Sequence, residues 1–358
     1  MRTARRRASA LAAALGTALA GALVLGCTRR GALDPAGIQA ERLAHLWWWF
    51  FWITAVVYVV VLVLALVPAL ARRRRLAAPP TSAAEPLAGA PVLPREPERE
   101  RRLVRVVTAG GLVTGAVLVA LLIASVHGGS AVSSAAFVES PLDVEIVGHQ
   151  WWWEITYPNT DQPWKAATTA NELHVPVGRM VRLKLQSNDV IHSFWVPRLH
   201  GKMDLIPGRT TWHWFRADRA GHFAGQCAEF CGLQHAHMGL VLVADPPAAF
   251  DAWLDAQRLP AAAPANAAEL RGKQVFEHSS CVLCHSVRGT IAGARNAPDL
   301  THLASRGTIA AATLPNSSGH LASWVRDSQN VKPGNAMPPN PLHEEDLQAL
   351  VAYLGSLR

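Results

Sequence analysis

The segment GQCAEFCGLQHAHMG, residues 225–239, contains the densest group of potential metal ligands in the chain. Its two cysteines, one of its histidines and its methionine follow one another at intervals of four, four and three residues: Cys227, Cys231, His235 and Met238. A second imidazole is available upstream, from His192 in DVIHSFWVP. Two thiolates, two imidazoles and a thioether form a soft ligand set that suits copper. Zinc, which needs only the thiolates and imidazoles, and a metal-free disulfide are the alternatives.

Short runs that alternate between apolar and polar residues surround this group. DVEIVGHQ at 143–150 and MVRLKLQS at 180–187 are two of them, and Gly, Pro, Asn and Asp separate the runs. Alternation of this kind, broken by turn residues, indicates short antiparallel strands. We therefore expect residues 139–245 to form an all-β sandwich or barrel.

The sequence CVLCH at 281–285 is a second group with a defined chemistry. It is the signature of covalent haem attachment, in which two thiols bond to the haem and the adjacent histidine binds the iron. The residues predicted to hold one haem c are therefore Cys281, Cys284 and His285. A thioredoxin-like role would need a βαβ context, and a zinc site would need further ligands that the neighbouring residues do not obviously supply.

The sixth iron ligand is predicted to be Met337, in NAMPPNP, since no other methionine follows Met238. A thioether ligand raises the reduction potential of the iron relative to a second histidine. His302 and His320 are the alternative ligands.

Helical periodicity flanks the CVLCH signature. ELRGKQVFEHS at 269–279 and EEDLQALVAYLGSL at 344–357 both read as helices, the second because its leucines repeat at helical spacing. We therefore expect an all-α domain over 269–358. The Ala- and Pro-rich stretch 246–268 is predicted to be a short helix followed by a linker.

Two long uncharged stretches, 46–71 and 106–126, precede the β domain. Each is long enough to cross a bilayer as a helix. The loop between them, 72–105, contains nine arginines, whereas 28–45 contains three and 127–138 contains no Lys or Arg. Because positively charged loops stay in the cytoplasm, we predict a two-helix hairpin with the N-terminus and everything after Val126 on the outer side of the membrane.

The first 26 residues contain four arginines followed by an uncharged stretch of small and apolar residues. This pattern is typical of a signal peptide. The sequence VLGC, which ends at Cys27, resembles the bacterial lipoprotein cleavage box and so predicts lipidation of that cysteine. An ordinary signal peptide or an uncleaved anchor is the alternative.

The formal net charge of +8 is unevenly distributed. Residues 1–138 contain 16 Lys and Arg against 6 Asp and Glu, whereas 139–245 contain 9 against 11 and 266–358 contain 8 against 7. The basic excess belongs to the membrane-flanking region, where it sets topology. It therefore gives no reason to expect nucleic-acid binding.

The cysteine- and histidine-containing segment resembles subunit II of the haem–copper oxidases, which carries a binuclear copper centre (CuA). The family pattern Cys-x-Glu-x-Cys-x3-His-x2-Met matches 227–238, and HSFWVP supplies the upstream histidine. The resemblance implies that both thiolates bridge two coppers, that each copper binds one imidazole, and that a thioether and a backbone carbonyl complete the two coordination spheres. The implied copper ligands are His192, Cys227, Glu229, Cys231, His235 and Met238. The side chain of Glu229 would also face a magnesium site shared with subunit I. His237 falls at a position of the family pattern that carries no ligand.

The resemblance implies the fold as well: a transmembrane hairpin, a cupredoxin-like Greek-key barrel and a class I cytochrome c domain. In GHQWWWEITYP at 148–158, Trp151 aligns with the tryptophan through which electrons enter the family's copper centre. The alternative is that the tryptophan run only packs a core and an interface. Pro298, in NAPDLTHLASR, resembles the proline whose carbonyl holds the iron-bound imidazole.

The function implied is that of an electron-transfer subunit of a respiratory, proton-translocating cytochrome c oxidase with its own haem c, in a bacterial inner membrane with the soluble domains on the periplasmic face. Its expected partners are subunit I, subunit III and a donor that is either cytochrome c or a cytochrome bc-type complex. No histidine cluster suited to oxygen reduction occurs in the sequence, so no catalytic residue is assigned. A copper-containing nitric oxide reductase and a non-enzymatic copper-binding module are the alternatives, and CVLCH argues against the latter. A nitrous oxide reductase would need a large second domain for which the chain has no room.

Overall fold

The computed structural model describes residues 31–76, 97–133, 140–159 and 161–358. The predicted signal peptide and Cys27 lie outside these residues, as does most of the loop between the two predicted membrane helices. The chain divides into two units, one formed by Arg42–Ser134 and the other by the remainder.

Two long helices make up the first unit, α1 (Ile38–Leu76) and α2 (Pro97–Ser133). Each contains a 33-residue candidate membrane span, and the 18-residue windows within the two spans have mean hydropathies of 2.9 and 2.4, so both helices are long and apolar enough to cross a membrane. Both helices extend beyond the predicted limits at each end, because the uncharged stretches mark only the part that suits a bilayer interior. In α1 the exposed aromatic residues Trp47–Trp52 lie at one end of the uncharged stretch 46–71, as expected at a membrane interface.

The second unit begins with ten strands, which form two five-stranded sheets. The strands are β1 (Leu142–His149), β2 (Trp152–Tyr157), β3 (Ala167–Ala170), β4 (Glu172–Pro176), β5 (Met180–Ser187), β6 (His192–Trp195), β7 (Met203–Leu205), β8 (Thr211–Arg216), β9 (Gly221–Cys227) and β10 (Gly239–Asp245). The strand order is β3-β2-β1-β5-β8 in one sheet and β4-β10-β9-β6-β7 in the other.

Alternate residues of these strands point into one shared core. In β1, for example, every second side chain is buried, and both sheets contribute to a single hydrophobic cluster. Most strand pairs are antiparallel as predicted, but β1 pairs with β5 and β4 with β10 in parallel. These partners are not joined by hairpins, since the chain passes from one sheet to the other between β4 and β5, and local alternation carries no information about such pairings.

Four helices follow: α3 (Pro247–Gln257), α4 (Ala267–His278), α5 (Ser318–Arg326) and α6 (Glu344–Ser356). Helix α4 begins with reciprocal capping contacts, because the Asn266 side chain accepts a hydrogen bond from Glu269 N–H and the Glu269 carboxylate accepts bonds from Asn266 Nδ2 and Ala265 N–H. It crosses α6 closely at Gly272, where an added Cβ would lie 1.9 Å from Ala349 O. A short hairpin, β11 (Thr308–Ile309) and β12 (Leu314–Pro315), departs from the all-α prediction.

Candidate metal centres

The first candidate centre lies where three elements of the second sheet end. His192 begins β6 and Cys227 ends β9, and these two strands are antiparallel neighbours. A 3₁₀ turn over His235–His237 then returns the chain to β10, and Met238 directly precedes that strand. Strand pairing therefore brings His192 to a segment that lies 35 residues further along the chain.

The six positions predicted to bind copper converge at this point. The Sγ atoms of Cys227 and Cys231 are 3.8 Å apart, and both thiols are free. His192 Nδ1 lies 3.8 Å from the first sulfur, and His235 Nδ1 lies 3.5 Å from the second. The remaining two groups complete the set, with Met238 Sδ 3.8 Å from Cys231 Sγ and the carbonyl of Glu229 3.2 Å from Cys227 Sγ.

The electrostatics of this cluster favour a thiolate. A hydrogen bond from the Cys231 thiol lowers the pKa of Cys227 to about 4, against the effect of burial. The same pairing, together with burial, raises the pKa of Cys231. One thiol of the pair thus stabilises the other as a thiolate, and a metal ion bound by both sulfurs would displace the remaining proton.

The orientation of His192 is fixed by a carboxylate. Its Nε2 lies 2.8 Å from Asp189 Oδ1, which leaves Nδ1 directed at the sulfur of Cys227. Burial of the imidazole favours the neutral form, but hydrogen bonds to Cys227 and Asp189 outweigh it and raise the pKa of His192. A carboxylate behind a ligating histidine is the usual arrangement in metal sites.

The donor set fits copper. The side chains of His192 and Met238 are fully buried, and the two cysteines are 3% exposed. Copper favours such a dry, soft nitrogen and sulfur environment, and the thioether is a donor that tetrahedral zinc does not need.

Two further residues of the motif point away from the cluster. The Glu229 carboxylate is partly exposed and lies 3.4 Å from Lys202 Nζ. His237 is exposed, and its Nδ1 lies 2.7 Å from Gln234 Oε1. As the register of the motif predicts, His237 does not join the sulfur ligands.

The second candidate centre is a cavity of about 370 Å³ with a mainly apolar wall. Cys281 and Cys284 lie on it at a 3₁₀ turn that follows α4. His285 also lines it, and its Nδ1 lies 2.7 Å from Pro298 O, so its Nε2 is free to bind iron. Burial lowers the pKa of His285 and keeps the imidazole neutral, as iron ligation requires. These features fit a covalently attached haem.

Met337 lies on the wall of the same cavity. Its carbonyl accepts hydrogen bonds from Ser328 Oγ at 2.5 Å and Gln329 Nε2 at 2.8 Å, and its N–H donates to Asn335 Oδ1 at 2.8 Å. The loop that presents the thioether is therefore fixed at three points.

The alternative iron ligands are absent from the part of the cavity wall that the structure describes. His302 is buried with its Nε2 3.1 Å from Leu259 O. His320 is exposed and contacts Ser317 Oγ. Of the three candidates, the structure brings only Met337 to the cavity.

The three tryptophans of the WWW run have different surroundings. Trp153 is fully buried and packs edge-on against His192 and Phe194. Trp152 stacks on His149 and lines the cavity. Trp151 also lines the cavity, and its Nε1 donates to Cys231 O at 2.9 Å. The core-packing interpretation thus suits Trp153, whereas Trp151 contacts both candidate centres.

Sequence reasoning missed three residues of these centres. Asp189 lies three positions before His192, and this spacing could have suggested the contact. Gln150, next to Trp151, donates from Nε2 to Cys231 O at 2.8 Å. Lys332 contacts Trp151 O across 181 residues of sequence, and nothing in its own segment indicates this.

Two families match separate parts of the chain. Residues 160–244 match the family described as cytochrome C oxidase subunit II, periplasmic domain, and residues 270–358 match the cytochrome c family. Among solved structures, the periplasmic domain of cytochrome oxidase subunit II of Bradyrhizobium japonicum is 30% identical. The match covers 34% of this chain and 96% of that one, with a TM-score of 0.32.

Curated relatives with the name cytochrome c oxidase subunit 2 match over a longer stretch. The protein of Alkalihalophilus pseudofirmus is 41% identical over 216 residues, which cover 60% of this chain and 61% of the relative. The protein of Bacillus sp. strain PS3 is 34% identical over 227 residues, 60% of this chain and 62% of the relative. The chain thus spans about three fifths of the length of these relatives.

Proposed function

We propose that the chain is the electron-input subunit of a respiratory haem–copper oxidase, because residues 160–244 match the periplasmic domain of cytochrome c oxidase subunit II and residues 270–358 match cytochrome c. In this proposal it accepts electrons from a donor at its own haem c, passes them to a binuclear copper centre, and delivers them to haem in subunit I. The complex as a whole is an oxidoreductase that reduces oxygen and translocates protons, with the oxygen site on the partner chain.

The observation that carries this proposal is the position of Trp151. Its side chain lines the cavity that fits haem, while its indole N–H donates to the carbonyl of Cys231, a proposed copper ligand. One residue thus contacts both centres within a single compact unit. Such a connection replaces a diffusional encounter between two proteins with an arrangement built into one chain.

Each proposed centre has a defined set of holding residues. The copper ligands are His192, Cys227, Glu229 through its carbonyl, Cys231, His235 and Met238. The haem would be held by covalent bonds to Cys281 and Cys284, and its iron by His285 and Met337. When bound, the binuclear copper would share one electron over two metals, which limits the change in geometry on oxidation.

The protein's own contribution is to fix the ligands and to exclude water. Asp189 sets the orientation of the His192 ring, and the carbonyl of Pro298 sets that of the His285 ring. The apolar cavity wall lowers the local dielectric, and the thioether of Met337 favours a higher reduction potential. The polar contacts that hold the loop of Met337 keep that ligand in place.

The remaining assignments of the proposal concern the surroundings of the chain. The two long apolar helices would anchor it in a bacterial inner membrane, with its soluble domains in the periplasm, against subunit I and subunit III. A cytochrome c or a cytochrome bc-type complex would supply electrons. The Glu229 carboxylate would take part in a shared magnesium site by exchanging its contact with Lys202 for the ion. A cleaved signal peptide would leave a lipidated Cys27.

The test is a single-turnover experiment on the purified complex. A photochemical reductant delivers one electron, and the optical bands of haem c and of the copper centre are followed in time. We expect the haem band to lose its reduced form as the copper centre becomes reduced, with a first-order rate constant that is independent of protein concentration. A rate proportional to concentration, or reduced haem that never reoxidises, would contradict the proposal.

A further inference from the structure

Lys332 is a buried lysine next to both candidate centres. It is only 3% exposed, and among the residues that the structure describes no carboxylate lies within ion-pair distance of its ammonium group. The ammonium group instead donates to Trp151 O at 2.8 Å and to Ala310 O at 3.5 Å. Burial lowers the pKa of Lys332 to about 8. A lysine is rarely buried without a carboxylate partner, so these carbonyl contacts call for an explanation.

One of the two carbonyls belongs to an unusual turn. Ala310, Ala311 and Ala312 have φ angles of 53°, 57° and 58°, all in the left-handed region. Side chains with a Cβ disfavour this conformation, and three successive residues persist in it only where their surroundings impose it.

The surroundings of this turn include the end of residues 227–239, which contain most of the proposed copper ligands and are called the copper loop. Ala311 O accepts a hydrogen bond from the N–H of Gly239 at 3.1 Å, and Gly239 directly follows Met238. A Cβ on Gly239 would lie 3.1 Å from Ala311 O and 3.3 Å from the Ala312 Cβ. The left-handed turn therefore lies in close contact with the end of the copper loop at Gly239, and Lys332 donates to the carbonyl of Ala310 in the same turn.

Residues 328–337, which we call the haem loop because they contain Met337, hold the backbone of Lys332. Its N–H donates to Ser328 O at 2.9 Å, and its carbonyl accepts from Asn335 Nδ2 at 2.7 Å. Ser328 and Asn335 are also hydrogen-bonded to the backbone of Met337. The same two residues thus position the proposed iron ligand and the lysine that contacts Trp151.

We propose that Lys332 is a positioning residue that docks the C-terminal domain onto the β domain and holds Trp151 against the haem cavity. Its ammonium group links three backbone segments: the haem loop, the left-handed turn and the carbonyl of Trp151. The docking role stands on these contacts alone, whereas its consequence for electron transfer rests on the proposed function. A second contact, from Gln234 Nε2 to Pro333 O at 2.7 Å, supports the same interface.

The experiment compares the complete complex with Lys332→Met, which keeps the length of the side chain and removes its charge and donors. Lys273→Met is the matched control, since Lys273 lies on α4 and contacts Glu277. The first measurement is hydrogen exchange in peptides that contain Gly239 and Ala310–Ala312. We expect exchange there to become at least about tenfold faster in Lys332→Met, because the docked population falls when a charged hydrogen bond is lost.

The second measurement is the first-order rate of electron passage between the two centres. In Lys332→Met we expect it to fall about tenfold and to become dependent on solvent viscosity, because docking then precedes transfer. Haem content, copper content and the thioether–iron band should be unchanged, which separates a positioning role from damage to either centre. Lys332→Gln, which retains an N–H donor, should restore part of the protection from exchange.

The possible failures are distinguishable. Hydrogen exchange in these peptides at the same rate in Lys332→Met as in wild type would overturn the proposal. If the wild-type complex passes no electron from haem to copper while exchange still accelerates in the variant, Lys332 keeps its docking role and the proposed function fails. Should Lys332→Met lose its haem, Gly239→Ala tests the interface from the β domain. Protection at Ala310–Ala312 should then fall, and unchanged protection would likewise overturn the proposal.

Discussion

The copper and haem sites differ in how much of each the polypeptide forms by itself. At the proposed copper site each donor atom already lies 3.2–3.8 Å from a cysteine sulfur, on strand ends and a tight loop. At the haem site the chain leaves a cavity of about 370 Å³. The β domain therefore has a complete core without metal, whereas the C-terminal domain would complete its core with the proposed haem.

The largest effect is expected when haem attachment is removed by Cys281→Ser together with Cys284→Ser. Without haem, the mainly apolar wall of this cavity would face water instead of the prosthetic group, and the apolar burial lost is a large share of what stabilises a small domain. We expect the C-terminal domain to lose its cooperative unfolding transition while the β domain keeps its fold and its copper. Circular dichroism during thermal unfolding measures the transition of each domain, and copper analysis measures the metal that the β domain retains.

The matched control for the cysteine pair is Ser356→Ala, at the end of α6 and away from the cavity. This substitution should leave the unfolding transitions of the C-terminal domain and of the β domain unchanged. A haem-free double variant whose C-terminal domain unfolds like the wild type would contradict the proposed difference between the sites.

The next effect concerns the copper site, where the ligand geometry depends on a carboxylate. Asp189→Asn weakens the acceptor that orients His192, so copper affinity should fall about 10–100-fold. Haem content and the fold should not change. A competitive chelator titration measures the affinity, with the exposed Asp161→Asn as control. Equal affinity in Asp189→Asn and wild type would mean that the fold alone orients the ligand.

A smaller effect is expected for the residue that contacts both sites. Trp151→Phe keeps an aromatic ring and removes the N–H that donates to Cys231 O. We expect electron passage between the sites to slow several-fold, because a hydrogen-bonded contact is lost, while copper and haem contents stay constant. Trp164→Phe, at a tryptophan that is 79% exposed, is the control. An unchanged rate would defeat the assignment of Trp151.

The sequence was most informative where the chemistry is local. Cys227, Cys231, His235 and Met238 lie within one short segment, as do Cys281–His285, so spacing alone predicted both ligand groups. His192 and Met337 came from the resemblance and from the small number of methionines; in the structure His192 lies beside Cys227, and Met337 lies on the wall of the cavity.

Long-range pairing was not predictable. The parallel pairs β1–β5 and β4–β10 depend on chain crossovers between sheets, and a strand's own alternation does not specify them. The contact of Lys332 with Trp151 and the strained Ala310–Ala312 turn both arise between domains. Tertiary packing imposes such features against local preference, so no single segment encodes them.

The smallest expected effect is pH-dependent and concerns the contact between the domains. The Glu172 carboxylate, on β4, accepts hydrogen bonds from Gly307 N at 2.9 Å and from His174 Nε2 at 3.0 Å. Burial raises its pKa, but the hydrogen bonds from His174 and Gly307 outweigh burial and lower the pKa of Glu172 overall. A lowered pKa in the folded state means that the carboxylate stabilises the fold above the unfolded value, near 4.3, and that this is lost as the pH falls through the folded pKa.

Glu172→Gln should therefore lower the free energy of unfolding by about 1–3 kcal/mol at pH 7, and the difference from wild type should shrink below about pH 4. Urea unfolding at pH 7 and below about pH 4 measures this difference in free energy, with the exposed Glu345→Gln as control. A difference that persists unchanged in acid would show that the charge of Glu172 does not stabilise the contact.

The most direct test of the central claim, that one chain holds both a binuclear copper centre and a haem c, is the metal content of the purified protein. The account predicts two coppers and one haem iron per chain after expression with haem-maturation machinery. One haem iron with zinc, or with no copper, would contradict it and leave a cytochrome domain tethered to a β scaffold without a relay.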